Sequence, residues 1–140
     1  MEAQHFFDIG VDKIRKQDFN GAIEAFTKTI LLTSSNDRRT ISEKHSDGST
    51  SHVDIVEMSE GRGNVRFNRG IAYMAIGKFE EAIEDFSKEI EYAPNDAEFY
   101  YHRAIAFYSI GRDNEAGSDL TRANQLDPKY TKELFLSQFP

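Results

Sequence analysis

The sequence contains no cysteine and no tryptophan, and only three of its 140 residues are proline. Without cysteine the protein has neither a disulfide framework nor thiol chemistry, which favours a reducing compartment, and we expect it in the cytoplasm. No long apolar run is present, so no membrane-spanning helix is predicted. The N-terminal stretch carries charges throughout, which a secretory signal would not.

Acidic side chains outnumber basic ones: the chain carries 24 Asp and Glu against 17 Lys and Arg, for a formal net charge of −7. Proteins that bind nucleic acid usually present a basic patch, so this balance argues against such a partner. We therefore expect neither a nucleic acid nor a membrane as partner. A length of 140 residues suits one domain with its own hydrophobic core.

The chain repeats itself at an interval of 34 residues. Residues 63–96 align with 97–130 and share nine identities: Arg69/Arg103, Ile71/Ile105, Ala72/Ala106, Ile76/Ile110, Gly77/Gly111, Glu81/Glu115, Ala82/Ala116, Asp85/Asp119 and Pro94/Pro128. An offset of 60 places residues 3–34 on 63–94, again with nine identities, among them Gly10/Gly70, Phe19/Phe79, Ala22/Ala82 and Phe26/Phe86. The sequence therefore contains three copies of one unit, with an insertion between the first and the second.

Each copy has the pattern of two amphipathic helices. In the second copy, apolar residues recur at helical spacing on both sides of Gly77, a residue type that ends helices in the left-handed conformation. Pro94 then stops the second helix, because proline cannot continue a helix. Gly70 and Ala82 are small enough to let two antiparallel helices approach closely, with Phe86 filling the space around them.

This pattern resembles the tetratricopeptide repeat family, whose unit is a helix–turn–helix with small, aromatic and proline positions at these offsets. The resemblance implies an all-α fold, a superhelix of three antiparallel helix pairs followed by a short C-terminal capping helix. Residues 1–140 then form a single domain with repeat one at 3–34, an inserted loop at 35–60, repeat two at 63–96, repeat three at 97–130 and the capping helix at 131–139. The first copy departs from the pattern, with Gln17 in place of Gly77 and Ser34 in place of Pro94.

The insertion between the first two copies is rich in Ser, Thr, Asp and Gly. Residues 35–51 lack apolar periodicity, so we predict a mobile loop there, after a helix that ends near Thr33. The more apolar stretch HVDIVEM that follows is a candidate backward extension of the first helix of copy two. At the other end, the apolar residues of YTKELFLSQFP predict the capping helix from about Thr131.

No side-chain pattern indicates catalysis, and we predict that the chain is not an enzyme. His45 and His52 each begin a His-x-Asp triplet, but a flexible loop gives metal ligands no fixed geometry, so no metal site is predicted. No Gly-rich phosphate loop is present, and no cofactor is expected. Carboxylates are expected on exposed helix faces, as in the Glu84–Lys88 pair at i,i+4.

In the tetratricopeptide repeat family, the first helices of successive repeats line a concave groove that holds a peptide or a partner helix. Carried over onto this chain, this predicted binding face consists of Phe7, Val11, Arg15, Asn64, Phe67, Asn68, Ile71, Met74, Tyr101, His102, Ile105 and Tyr108. Its apolar members are expected to anchor apolar side chains, and Asn68 to contact the ligand main chain. Aromatic residues usually belong to a core when buried, and that alternative stays open for each of them.

Co-chaperones of this family bind acidic C-terminal tails with a clamp of two lysines, two asparagines and an arginine. The corresponding residues here are Phe7, Val11, Asn68, Glu98 and His102, of which only Asn68 agrees. Glu98 has the wrong sign for a carboxylate ligand, so this kind of receptor is not expected. The resemblance leaves a terminal carboxylate to be met by Asn68 with Arg69 or Arg103.

The sequence thus predicts a protein–protein interaction module that binds a peptide or partner segment in the groove, as an adaptor, scaffold or co-chaperone-like protein. One alternative is a self-assembling structural protein, a homo-oligomer in which another copy occupies the groove. The other alternative is an accessory domain of a larger enzyme or complex.

Overall fold

The computed structural model describes residues 2–43 and 65–139, which form seven α-helices and no strand. In chain order the helices are α1 Glu2–Arg15, α2 Phe19–Glu43, α3 Val65–Ala75, α4 Phe79–Tyr92, α5 Ala97–Ser109, α6 Asp113–Leu126 and α7 Lys132–Leu136. Short turns join α1 to α2, α3 to α4 and α5 to α6. The predicted all-α class, with successive helix pairs and a short C-terminal helix, is confirmed.

The turn within each pair has the same hydrogen bond in all three copies. The residue before the second helix donates its backbone N–H to a carbonyl oxygen near the end of the first: Asp18 to Lys13 at 2.8 Å, Lys78 to Tyr73 at 2.9 Å and Arg112 to Phe107 at 2.9 Å. This bond needs a left-handed residue in the turn, and Gly77 and Gly111 both have φ of 81°. Gln17 takes the same conformation at φ 63°, so the first copy forms this turn without a glycine.

The chain forms two compact units, Met1–Ala72 and Tyr73–Pro140, each with its own core. In the first unit α1 and α2 run antiparallel: Thr29 Oγ1, well along α2, lies 3.4 Å from the carbonyl oxygen of Ala3 at the start of α1. Ala22, Phe26 and Ala72 are completely buried at the centre of this unit. Half-buried apolar side chains pack around them: Phe7, Val11, Ile14, Phe19, Ile23 and Val65.

In the second unit, capping side chains mark the starts of α5 and α7. Asp96 accepts the backbone N–H of Glu98 (3.1 Å) before α5, and Thr131 accepts that of Leu134 (3.1 Å) before α7. The core combines residues of α5 and α6 with the C-terminal segment: Ala97, Tyr101, Ala104, Ala123, Tyr130 and Phe135. The segment after α6 therefore contributes directly to the core of this unit.

Helix α2 is longer than its apolar pattern predicts. The predicted end near Thr33 and the predicted loop from residue 35 are wrong at this point, since the helix continues to Glu43. Residues 34–43 contain no Gly or Pro, so nothing in them breaks the helix even though they lack an apolar stripe. The remainder of the predicted loop, residues 44–60, and the stretch HVDIVEM lie outside the described residues.

The C-terminal helix is shorter than predicted, because α7 ends at Leu136 rather than at residue 139. The backbone N–H groups of Gln138 and Phe139 donate to the carbonyl oxygens of Phe135 and Leu136 at 3.1 Å, three residues back. Bonds of this spacing tighten the chain into a turn instead of continuing the α-helix.

We expect Gly10→Ala to destabilise the protein and Gly117→Ala to stabilise it. A Cβ on Gly10 would overlap the ring of Phe26, which is fully buried, at a cost of roughly 1–3 kcal/mol. A Cβ on Gly117 would meet nothing within 4 Å, so alanine gains about 0.5–1 kcal/mol of helix propensity. Urea unfolding followed by circular dichroism measures both changes. Equal effects of the two substitutions would contradict the close contact at Gly10.

Candidate functional site

The predicted binding face is distributed over the first helix of each pair. Helix α1 carries Phe7, Val11 and Arg15, helix α3 carries Phe67, Asn68, Ile71 and Met74, and helix α5 carries Tyr101, His102, Ile105 and Tyr108. Asn64 lies outside the described residues. In each helix these residues recur every three or four positions, so they share one side of it.

In the first unit the apolar members of this face are half-buried rather than hidden. Phe7 and Val11 pack against the central cluster, and the ring centroid of Phe7 lies 5.8 Å from that of Phe26. Phe67 and Ile71 are likewise half-buried, while Arg15 at the end of α1 is exposed. Each apolar side chain therefore stabilises the unit with part of its surface and keeps another part accessible.

Tyr101 is a core residue in the second unit, with only 5% of its surface exposed. Its ring centroid lies 4.6 Å from that of Tyr130 and 6.2 Å from that of Phe135, and its hydroxyl donates to the carbonyl oxygen of Leu134 (3.4 Å). Burial raises the pKa of this hydroxyl, and the proximity of Tyr130 raises it further. The interpretation of Tyr101 as an accessible anchor is wrong, because the C-terminal segment covers it.

Tyr108 keeps 39% of its surface exposed at the other end of α5. Its ring centroid lies 4.7 Å from that of Phe139 and 5.6 Å from that of Phe135. His102 is half-buried, with Nδ1 2.9 Å from the carbonyl oxygen of Glu98 in the preceding turn of its own helix. Tyr108 and the C-terminal aromatic residues thus form one partly exposed aromatic group.

The two arginines suggested for a terminal carboxylate already have partners. Arg103 donates through Nε and Nη2 to Asp119, at 2.7 and 2.8 Å, and through Nη1 to Ser87 at 3.0 Å. Arg69 donates through Nη1 to Thr27 Oγ1 at 3.1 Å. Both guanidinium groups therefore form hydrogen bonds between helices. The hypothesis that Arg69 or Arg103 binds a terminal carboxylate is not supported.

Sequence reasoning missed a set of buried carboxylates. Asp85, Glu89 and Asp119 keep 1%, 4% and 6% of their surface exposed, so the expectation that carboxylates lie on exposed faces is wrong for them. The sequence does contain a signal for a buried carboxylate: in copies two and three an aspartate follows an arginine by sixteen residues, as Arg69/Asp85 and Arg103/Asp119. Charged residues retained together at one spacing indicate a structural ion pair.

The described ranges, 2–43 and 65–139, hold no group of three or more His, Asp or Glu side chains placed to bind a metal ion. His45 and His52 lie outside those ranges. None of the helices in the described part of the chain is both long and apolar enough to cross a bilayer.

Comparison with known proteins identifies repeats in the second half of the chain. A family model described as TPR repeat matches residues 70–111, and one described as tetratricopeptide repeat matches residues 97–130. The second match has the boundaries of the third copy in the 34-residue alignment.

Curated relatives include the mitochondrial import receptor subunit TOM70 of Homo sapiens, 33% identical over 96 residues, and that of Mus musculus, 37% identical over 97 residues. Each match covers 65% of this chain but only 16% and 15% of the relative, so the chain spans about a sixth of their length. Among solved structures, a MamA structure aligns with 94% of this chain and 80% of its own, at 20% identity and a TM-score of 0.47. The repeated helix pairs and the two model matches identify residues 70–130 as tetratricopeptide repeats.

Proposed function

We propose that the protein is a non-enzymatic interaction module that binds a peptide or partner segment along the first helices of its repeats. It would act as an adaptor, scaffold or co-chaperone-like protein, and we place it in the cytoplasm. The observation that carries the proposal is the half-buried apolar side of these helices, with Phe67 and Ile71 next to the polar Asn68 on α3. Such a mixture of apolar surface and an amide group suits an extended peptide.

The tetratricopeptide repeats matched at residues 70–130 support a binding role, since this fold is generally a scaffold for protein interaction. The curated relatives are named as receptor subunits, which is a binding role as well. Because the chain spans about a sixth of those relatives, we carry over recognition of a protein partner and not mitochondrial import itself.

The partly exposed aromatic group that contains Tyr108 provides a second surface for contact with the partner. Tyrosine offers a large, rigid surface with a polar tip, as interface anchors do, and Tyr108 has 39% of its surface exposed beside Phe139. We therefore place the main anchors at Phe67, Ile71 and Tyr108, and remove Tyr101 from the set because it is buried.

Asn68→Ala and Tyr108→Ala are each expected to weaken partner binding by roughly 1–2 kcal/mol, with little change in melting temperature. Tyr101→Ala should instead lower the melting temperature clearly, because it removes a buried ring. A pull-down of the tagged protein, quantified by mass spectrometry, identifies the partner, and calorimetry with that partner gives the affinities. Glu84→Ala, an exposed change on α4, is the control that should leave both quantities unchanged.

Full binding by both Asn68→Ala and Tyr108→Ala would place the partner elsewhere on the molecule. Sedimentation velocity over a concentration series tests the self-assembling alternative on the same variants. If wild-type protein self-associates and Asn68→Ala does not, the face holds another copy and the proposed module is wrong.

A further inference from the structure

The middle of α6 has an incompletely covered side, which we call the open α6 face: Gly117, Leu120 and Thr121. Together with residues of α7 and Tyr108, this face lines a cavity of about 670 Å³. Gly117 and Thr121 are exposed, and a Cβ on Gly117 would meet nothing within 4 Å. Copies one and two carry Ile23 and Ile83 at the position of Gly117, so the third copy lacks a large apolar side chain here.

In the first two copies the corresponding side of the second helix is occupied by the helix that follows. Thr27 and Ser87 stand at the positions equivalent to Thr121, and both are half-buried. Thr27 Oγ1 accepts a hydrogen bond from Arg69 Nη1 at 3.1 Å, and Ser87 Oγ accepts one from Arg103 Nη1 at 3.0 Å. Twice in this chain, therefore, the next helix presents an arginine to this hydroxyl.

The two helices that provide these arginines share a three-residue pattern. It consists of an apolar residue, an arginine four positions later and an alanine three positions after that: Val65, Arg69 and Ala72 in α3, and Phe99, Arg103 and Ala106 in α5. Both alanines have no exposed surface, so a small side chain there lets the two helices pack closely. At the equivalent positions α7 and the turn after it have Glu133 and Ser137 and lack this pattern.

We infer that the open α6 face binds an α-helix of a partner protein, one that presents an arginine followed three residues later by alanine or glycine. The arginine would donate to Thr121 Oγ1, and the small residue would lie against the exposed Gly117. Asp113 and Glu133 also line the cavity, against the single cation of Lys132, so the local charge favours an arginine. Tyr108 lines this cavity and also belongs to the predicted binding face, but the residues of the open α6 face do not, so the inference goes beyond the proposed function.

A second copy of this chain is a poorer occupant than a different protein. Its α1 is the first helix of a repeat, and at the three pattern positions it carries His5, Ile9 and Asp12. The arginine and the alanine are both missing, and Asp12 would add a third carboxylate to a cavity that already has two.

The test uses the complete 140-residue chain and a fluorescent peptide with the sequence of residues 65–75, VRFNRGIAYMA. A hydrocarbon staple between positions 67 and 71 holds the peptide helical on the side opposite Arg69. Fluorescence anisotropy measures its affinity for the wild type, Thr121→Arg, Thr121→Ser and Ser118→Arg. Ser118 is also exposed on α6 but lines a different pocket with Phe107 and Asn114, so it is the control for the added charge.

We expect saturable one-to-one binding to the wild type and a loss of about tenfold or more with Thr121→Arg, which removes the acceptor and adds a like charge. Thr121→Ser keeps the hydroxyl and should bind within about threefold of wild type, as should Ser118→Arg. A peptide in which alanine replaces the residue equivalent to Arg69 should lose about tenfold on the wild type.

Absence of saturable binding, or equal binding by wild type and Thr121→Arg, would overturn the inference. An equal loss with Ser118→Arg would show general charge repulsion and would overturn it too. Sedimentation velocity without peptide tests whether a second copy of the chain binds the open α6 face. Self-association that disappears in Thr121→Arg would assign the face to a second copy instead.

Discussion

An Asp119→Ala variant is expected to lose about 3–5 kcal/mol of unfolding free energy, because its partner Arg103 becomes a largely buried charge without a counter-ion. The ion pair is bidentate, with Arg103 Nε and Nη2 at 2.7 and 2.8 Å from the two carboxylate oxygens. The side chains of Arg103 and Asp119 keep only 21% and 8% of their surface exposed. Arg103 also donates to Ser87, so one guanidinium connects α4, α5 and α6.

The matched control is the double variant Arg103→Ile/Asp119→Ala. The first copy carries Ile9 and Ala25 at these two positions, so the repeat itself provides a version without charges. Removing both partners leaves no unpaired charge, and the double variant should be at least about 1 kcal/mol more stable than Asp119→Ala alone. Urea denaturation followed by circular dichroism measures all variants. If the double variant is no more stable than the single one, the unpaired charge is not what destabilises Asp119→Ala.

The repeat spacing predicted the helix pairs and their turns because each depends on residues close together in sequence. Gly77 and Gly111 end the first helix of their pairs in the left-handed conformation, as glycine after an apolar pattern indicates. The exception, Gln17, shows that tertiary packing can impose the same turn on a residue that does not prefer it. Local sequence signals therefore predicted the positions of the turns. Tertiary packing determined whether a turn required glycine or could form with another residue.

The candidate site was less predictable, because the exposure of a residue depends on what lies above it in space. Tyr101 stands at the same repeat position as Phe67, yet it is buried beneath Tyr130 and Phe135 whereas Phe67 is half-buried. The sequence shows that the C-terminal segment is rich in aromatic residues, but it does not show that this segment packs against α5. The expectation that carboxylates lie on exposed helix faces rests on residue type alone and is wrong for the buried Asp119, although an arginine sixteen residues earlier recurs with it.

Phe26→Ala is expected to cost about 3–5 kcal/mol, because it removes a ring from the centre of the first unit and leaves a cavity that its neighbours cannot fill. Phe26 has no exposed surface, and its ring lies directly against the backbone of Gly10. The other buried members of this cluster, Ala22 and Ala72, have side chains too short to reach into the space. Phe7, whose ring centroid lies 5.8 Å away, is one of the half-buried side chains that pack against this cluster.

Phe26→Leu separates the effect of the cavity from the loss of an aromatic residue. The third copy carries Leu120 at this position, so the repeat tolerates leucine there, and we expect a cost below about 1.5 kcal/mol. The smaller side chain also makes room for a Cβ on residue 10, so Gly10→Ala should cost less in the Phe26→Leu background than in the wild type. Urea unfolding of the four variants measures this coupling. If the Gly10→Ala and Phe26→Leu costs simply add, the two residues do not share the tight contact on which this core depends.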